Sequence, residues 1–219
     1  MNVRPILFGG PMVHEILERR KTQTRRVLKP QFEGMHLDRL GPTGWQWTGE
    51  GGLPHIPVRV PYAVGDLLWV RETWRAGRGY DGAKIKDIAP WSRLWFDAGD
   101  CNDNAGVIGR KSRPSIHMPR WASRITLRVI DVRVERLQGI SEEDAVAEGV
   151  RETDFYDNAE RKVAAGAPYS IERLAFADLW QSINVKRPGC TWEDNPWVAV
   201  VSFDPLFANV DEIVAREVA

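Results

Sequence analysis

The residues best suited to chemistry lie in one basic segment of this chain, Arg19-Arg20-Lys21-Thr22-Gln23-Thr24-Arg25-Arg26. From Arg19 to Lys29 there are six basic residues and no acidic one. Neighbouring cations disfavour the charged form of an ammonium group, so Lys21 can lose its proton more readily than an isolated lysine and act as a base. The hydroxyl of Thr24 is the nearby nucleophile that such a base can activate.

The same segment can instead bind a phosphate or a polyanion, because arginine guanidinium groups match phosphate oxygens and lysine supplies a compact charge. A third interpretation is a solvated basic turn at the end of a helix. The residues expected to bind substrate or nucleic acid are Arg19, Arg20, Arg25, Arg26, Arg71 and Glu72. Side chains alternate along a strand, so either Arg71 or Glu72 points inward, and the two either form a buried ion pair or line the pocket.

A second segment, residues 141–160, is strongly acidic, with eight acids and one base. Ser141 is suited to cap a helix whose first turn is acidic, and Gly149 is suited to end it. Most of the acidic residues beyond Gly149 are expected to lie in a solvated loop. Glu148 differs, because the helix dipole disfavours a carboxylate at the last helical position. Its placement needs another reason.

Composition limits the class of protein. The chain has 219 residues, of which 43% are hydrophobic, enough for one core. Lys plus Arg equals Asp plus Glu at 30 each, which argues against a protein that coats nucleic acid over its whole surface. No apolar run is long enough to span a membrane, and we therefore expect a cytoplasmic protein. Cys101 and Cys190 lie far apart and lack metal-ligand spacing, so neither a zinc site nor a disulfide framework is suggested. No metal and no cofactor are predicted.

Hydrophobic periodicity and turn residues predict an α+β fold, with a small mixed β-barrel flanked by helices. The expected strands are residues 3–8, 67–74, 122–137 and 197–203, and the expected helices are residues 11–19, 141–148 and 171–183, with the basic segment as a loop. No glycine-rich phosphate loop follows a strand and no G-x-S-x-G is present, which excludes dinucleotide-binding and serine-hydrolase classes.

The domain organisation predicted is one domain over residues 1–219, with insertions at about 31–60, 76–117 and 151–170. The first insertion should be a loop with a short hairpin around Trp45 and Trp47. The second has no long apolar period and is expected to form an inserted lobe.

Three further blocks, GDLLWVRE at 65–72, ISEEDAVAEG at 140–149 and NPWVAVVSF at 195–203, come after the basic segment along the chain. Together with that segment they resemble the ASCH family, a PUA-like β-barrel associated with RNA, and its longer phage and prophage members. The resemblance covers residues 3–29, 61–74, 120–150 and 171–204. It implies RNA, a nucleoside or a modified nucleotide as the partner.

Small members of that family are amidohydrolases that remove the acetyl group from N4-acetylcytidine. They use a K-T-x-T motif after the first helix and a glutamate near the end of a later helix. Lys21-Thr22-Gln23-Thr24 has that pattern, and Glu148 falls at the glutamate position. The resemblance implies Thr24 as nucleophile, Lys21 as proton acceptor and Glu148 as proton donor. The chain departs from those members in its length and in Arg25, where an apolar residue would be ordinary.

Two other functions stay open. The chain can be a non-catalytic module that binds nucleic acid or a modified nucleotide. It can also be a phage accessory protein that binds a host protein, which would gain support if salt bridges to the acidic block ordered the basic segment and left no open pocket.

Overall fold

The structure is a computed structural model that describes residues 1–32, 34–41, 44–49, 56–99, 106–150 and 154–218. The strands are β1 (Val3–Leu7), β2 (Gln23–Val27), β3 (His36–Leu40), β4 (Gly44–Thr48), β5 (Ile56–Val58), β6 (Leu67–Arg71), β7 (Trp74–Ala76), β8 (Leu94–Phe96), β9 (Thr126–Arg136) and β10 (Trp197–Leu206). The helices are α1 (Gly10–Leu17), α2 (Glu142–Ala147), α3 (Asp154–Ala164), α4 (Ile171–Asn184) and α5 (Val210–Val218). None of the described helices is long and apolar enough to cross a membrane.

The main sheet is mixed and has five strands in the order β1-β6-β9-β10-β2. β1 runs parallel to β6, β6 is antiparallel to β9, and β10 is antiparallel to β2. Smaller sheets are formed by β3-β4-β5 and by β7-β8. The predicted α+β class is confirmed, and no closed barrel is found among the described residues.

Residue contacts divide the chain into two compact units, each discontinuous in sequence. The first comprises Met1–Thr22, Val64–Ile130 and Phe203–Ala219, and the second comprises Gln23–Ala63 and Asp131–Ser202.

In the first unit, α1 begins with a proline in its first turn and buries Met12, Val13 and Ile16. It ends two residues earlier than the sequence predicts. A turn follows the helix and includes Arg19, whose φ of 57° is in the left-handed region.

Two apolar clusters of the first unit include secondary structure that the sequence did not predict. Val210 and Ile213 of α5, a helix that the sequence pattern did not reveal, pack on Leu67 and Trp69 of β6. The predicted strand over 67–74 is divided into β6 and β7, and Trp74 of β7 begins a separate cluster with Ile88, Phe96 and Met118. The second insertion therefore contributes to a core of its own.

In the second unit, the basic segment is not the predicted loop, because residues 23–27 form β2 and pair with β10. The predicted hairpin around Trp45 and Trp47 is confirmed as β3 and β4, with Trp47 fully buried against Leu37 and Val134. The stretch expected to be a solvated acidic loop includes α3, so that expectation is wrong for residues 154–160.

Candidate functional site

The three residues proposed for catalysis are all buried. The exposed fraction of Lys21 is 1%, and that of Thr24 and of Glu148 is 4% each. The solvated-turn interpretation is therefore wrong for Lys21 and Thr24. Lys21 lies in the first unit and the other two in the second, and the expected convergence of the three side chains stays a prediction.

β2 places Gln23 and Arg25 on one side of the strand, since side chains alternate along it. Thr24, between them, pairs in register with Val201 of β10. The Gln23 amide nitrogen Nε2 donates to Asp144 Oδ1 at 3.1 Å and to Ser202 Oγ at 3.3 Å. This face of β2 is thus tied to α2 and to β10.

Arg25 is the centre of a buried ionic network, and its side chain has an exposed fraction of 0%. Its Nη1 donates to Gln23 Oε1 at 2.7 Å and to Glu148 Oε1 at 3.1 Å. Its Nη2 donates to Glu135 Oε1 at 2.7 Å and to Asp144 Oδ2 at 2.8 Å. One guanidinium therefore joins strand β9, the first turn of α2 and the residue that ends α2.

Arg133 extends this network toward solvent. Its Nε donates to Glu135 Oε2 at 3.1 Å, and its Nη2 donates to Asp144 Oδ2. Burial lowers the pKa of Arg133, but the negative charges of Glu135 and Asp144 outweigh burial and raise it. Burial raises the pKa of Asp144, but the hydrogen bond from Gln23 and the charges of Arg25 and Arg133 outweigh it and lower that pKa below its ordinary value.

Helix α2 holds Glu148 by ordinary capping chemistry. The Ser141 hydroxyl accepts from the backbone N–H of Asp144 at 3.1 Å, and Gly149 ends the helix with a φ of 77°. Both were predicted and are confirmed. Glu148 is the C-cap residue. The Arg25 guanidinium compensates the carboxylate where the helix dipole disfavours it.

Asp144 is a site residue that the sequence reasoning missed, since a first-turn acid is sufficiently explained by the dipole. Asp144 and Glu148 are four residues apart, which places them on one face of the helix. That spacing was the available signal for a shared cationic partner.

Arg26, the next basic residue, is half-buried in the second unit. Burial lowers the pKa of its guanidinium, while the charges of Tyr62 and Glu148 act in the opposite direction. Glu148 therefore lies in the electrostatic range of both Arg25 and Arg26.

The other predicted binding residues belong to the first unit. Arg20 makes a two-pronged contact with Glu15, with Nε to Oε2 at 2.7 Å and Nη2 to Oε1 at 2.8 Å. Glu72 is the member of its pair that points inward, with 1% exposed. It forms an ion pair with Arg124 at 3.0 Å, and Arg71 donates to the carbonyl oxygen of Met118 at 3.1 Å.

The folded protein is expected to lose stability at low pH because the carboxylate of Asp144 becomes protonated. A carboxylate whose pKa is lowered by folding stabilises the fold well above its ordinary pKa of 3.8, and that contribution is lost as the pH falls through the lowered pKa. We expect the melting temperature to fall below about pH 4, and to fall less steeply in Asp144→Asn. Thermal melts of both proteins between pH 3 and pH 7 would measure this, and identical pH dependence would contradict it.

Among the described residues, no group of three or more His, Cys, Asp or Glu side chains is arranged to hold a metal ion. Comparisons with protein-family models, with curated proteins and with solved structures found no significant match to this chain.

Proposed function

We propose that this protein is an ASCH-type amidohydrolase directed at RNA or a modified nucleoside, and that it deacylates N4-acetylcytidine. The observation that carries the proposal is the burial of Lys21, Thr24 and Glu148. Burying an amine, a hydroxyl and a carboxylate costs free energy, and folds accept that cost where the groups are paired or functional. The PUA-like barrel of the family is part of the same proposal.

The proposed reaction begins with attack of Thr24 Oγ1 on the acetyl carbonyl carbon, while the neutral amine of Lys21 takes the hydroxyl proton. In this proposal Glu148, the carboxylate beside Arg25 in the free protein, takes up a proton from solvent when the substrate binds. The bond from the carbonyl carbon to N4 then breaks, and Glu148 gives this proton to N4. Cytidine leaves and the acetyl group stays as an ester of Thr24.

Water hydrolyses that ester in the second half of the reaction. The carboxylate of Glu148 takes a proton from the water, and Lys21 returns its proton to the Thr24 oxygen as acetic acid leaves. One water is consumed, one cytidine and one acetic acid are formed, the acid releases its proton to solvent as acetate, and each residue regains its starting protonation state.

Arg25 is the departure from the family pattern, and its contacts give it a place in this proposal. Its Nη1 lies 3.1 Å from Glu148 Oε1. We assign Arg25 as a positioning residue that holds the carboxylate, since it acts on Glu148 and not on the substrate.

The test is the release of cytidine and acetate from N4-acetylcytidine, followed by chromatography with purified protein. We expect turnover by the wild-type chain and none by Thr24→Ala. Wild-type protein that releases nothing from this nucleoside or from longer N4-acyl analogues would remove the amidohydrolase proposal.

A second candidate is a non-catalytic protein that binds nucleic acid, a modified nucleotide or a host protein. The contacts of Arg25 favour the host-protein alternative within this candidate, because salt bridges to Asp144 and Glu148 commit part of the basic segment to the acidic block. A binder should lose affinity for single-stranded RNA on Lys21→Ala and lose almost none on Thr24→Ser. Its affinity should also weaken as salt is raised.

A further inference from the structure

An open cleft of about 420 Å³ lies within the first unit, and no residue of the proposed triad lines it. This volume is in the range of small-molecule sites. Its walls combine an aromatic ring, arginines and apolar side chains from β9, from the end of β10 and the residues after it, from α5 and from the loop after α1.

Phe207 supplies the aromatic wall of the cleft, and 47% of this large apolar residue is exposed. The guanidinium carbon Cζ of Arg19 lies 4.9 Å from the centroid of the Phe207 ring. Aromatic rings and arginine planes are the two protein groups on which nucleic-acid bases stack. The cleft thus presents a stacking surface to solvent.

The charge of the cleft favours an anion, since three arginines and one glutamate line it. Arg128 is partly compensated, because its Nη2 donates to the carboxylate of Glu217. Among the described residues, Arg19 has no carboxylate partner. Arg216 is 74% exposed and lies 3.6 Å from Glu212, which is also solvent-exposed. Such guanidinium groups match phosphate oxygens.

The backbone of Arg19 is a second, independent observation. Its φ of 57° lies at the end of a helix, where glycine or asparagine is usual because other side chains are disfavoured there. A strained backbone of this kind is a feature that clusters at ligand sites, and here it carries the guanidinium that lies against the Phe207 ring.

We propose that this cleft binds a nucleotide, with the base stacked at Phe207 and Arg19 and the phosphate at the arginines. The site is separate from the deacylation chemistry, so either proposal can fail alone. Two kinds of ligand combine such a base and phosphate: a free mononucleotide and one nucleotide of an RNA strand.

The experiment titrates the full chain with cytidine monophosphate, cytidine, inorganic phosphate and a single-stranded oligoribonucleotide, using calorimetry. We expect saturable binding of the monophosphate or the oligonucleotide, tighter than binding of cytidine or phosphate alone. Arg19→Gly should weaken it by about tenfold or more, since it removes both a stacking plane and a charge. Phe207→Leu should weaken it similarly.

Arg19→Gly separates binding from folding, because glycine accepts the left-handed backbone and should leave the melting temperature unchanged or raised. Arg161→Ala in α3 is the matched control, since it removes an exposed arginine that does not line the cleft. Weakened monophosphate binding in both cleft variants supports a free mononucleotide. An effect on the oligonucleotide alone supports an RNA strand. Absence of wild-type binding to both ligands, or cleft variants that bind as well as Arg161→Ala, would overturn the proposal.

Discussion

Arg25→Ala is expected to lower the free energy of unfolding by about 3–5 kcal/mol, the range found when one partner of a buried ion pair is removed. The variant leaves Glu135, Asp144 and Glu148 without the guanidinium that joins them. The free-energy cost is largest at Glu148, because only 4% of this residue is exposed and water cannot solvate its charge well. Denaturant unfolding followed by tryptophan fluorescence would measure the change.

Arg133→Ala is the matched control for that experiment. Arg133 contacts two of the same carboxylates, but 35% of its side chain is exposed. Its removal should therefore cost only about 1 kcal/mol. Equal losses in the two variants would show that Arg25 is not the centre of the network.

Thr24→Ala is expected to reduce deacylation of N4-acetylcytidine by roughly 10⁴-fold or more, because no nucleophile remains to form the ester. Thr24→Ser keeps the hydroxyl and should retain a measurable rate. Lys21→Ala should resemble Thr24→Ala, since nothing then activates the hydroxyl. Release of cytidine at a single substrate turnover, separated by chromatography, compares the variants directly.

The Glu148→Gln variant tests whether substrate can bind without being hydrolysed. The amide keeps the shape of the side chain but cannot donate the proton that the leaving nitrogen needs, so substrate should bind and stay unreacted. Thr24 lies in a buried strand, and each variant therefore needs a melting temperature beside its rate. A folded Glu148→Gln with the wild-type rate would exclude Glu148 as the proton donor.

Local chemistry made some elements predictable from the sequence. Ser141 and Gly149 mark the ends of α2 because capping depends on single residue types, and the apolar period of α4 is visible without any partner. β2 was missed for the opposite reason. Gln23 and Arg25 have no strand-like pattern of their own, and their strand forms because β10 pairs with it.

Of the candidate site, too, only part could be predicted from the sequence. Lys21, Thr24 and Glu148 were proposed as site residues from a motif and from an unfavourable helix-end charge, and their role stays a prediction. The partners of Arg25 were not, because Glu135 and Asp144 lie more than a hundred residues away in the sequence. A buried arginine is explained by the carboxylates around it, and a single sequence does not show which ones these are.

The pairing of β2 with β10 also bears on how this chain folds as it is made. Thr24 of β2 and its register partner Val201 of β10 lie more than 170 residues apart in the sequence. Loop closure over such a distance is slow and must precede the contacts that reward it. During synthesis, the strand that carries Thr24 and Arg25 lacks this partner until β10 has been made, so this pairing of the second unit cannot form early.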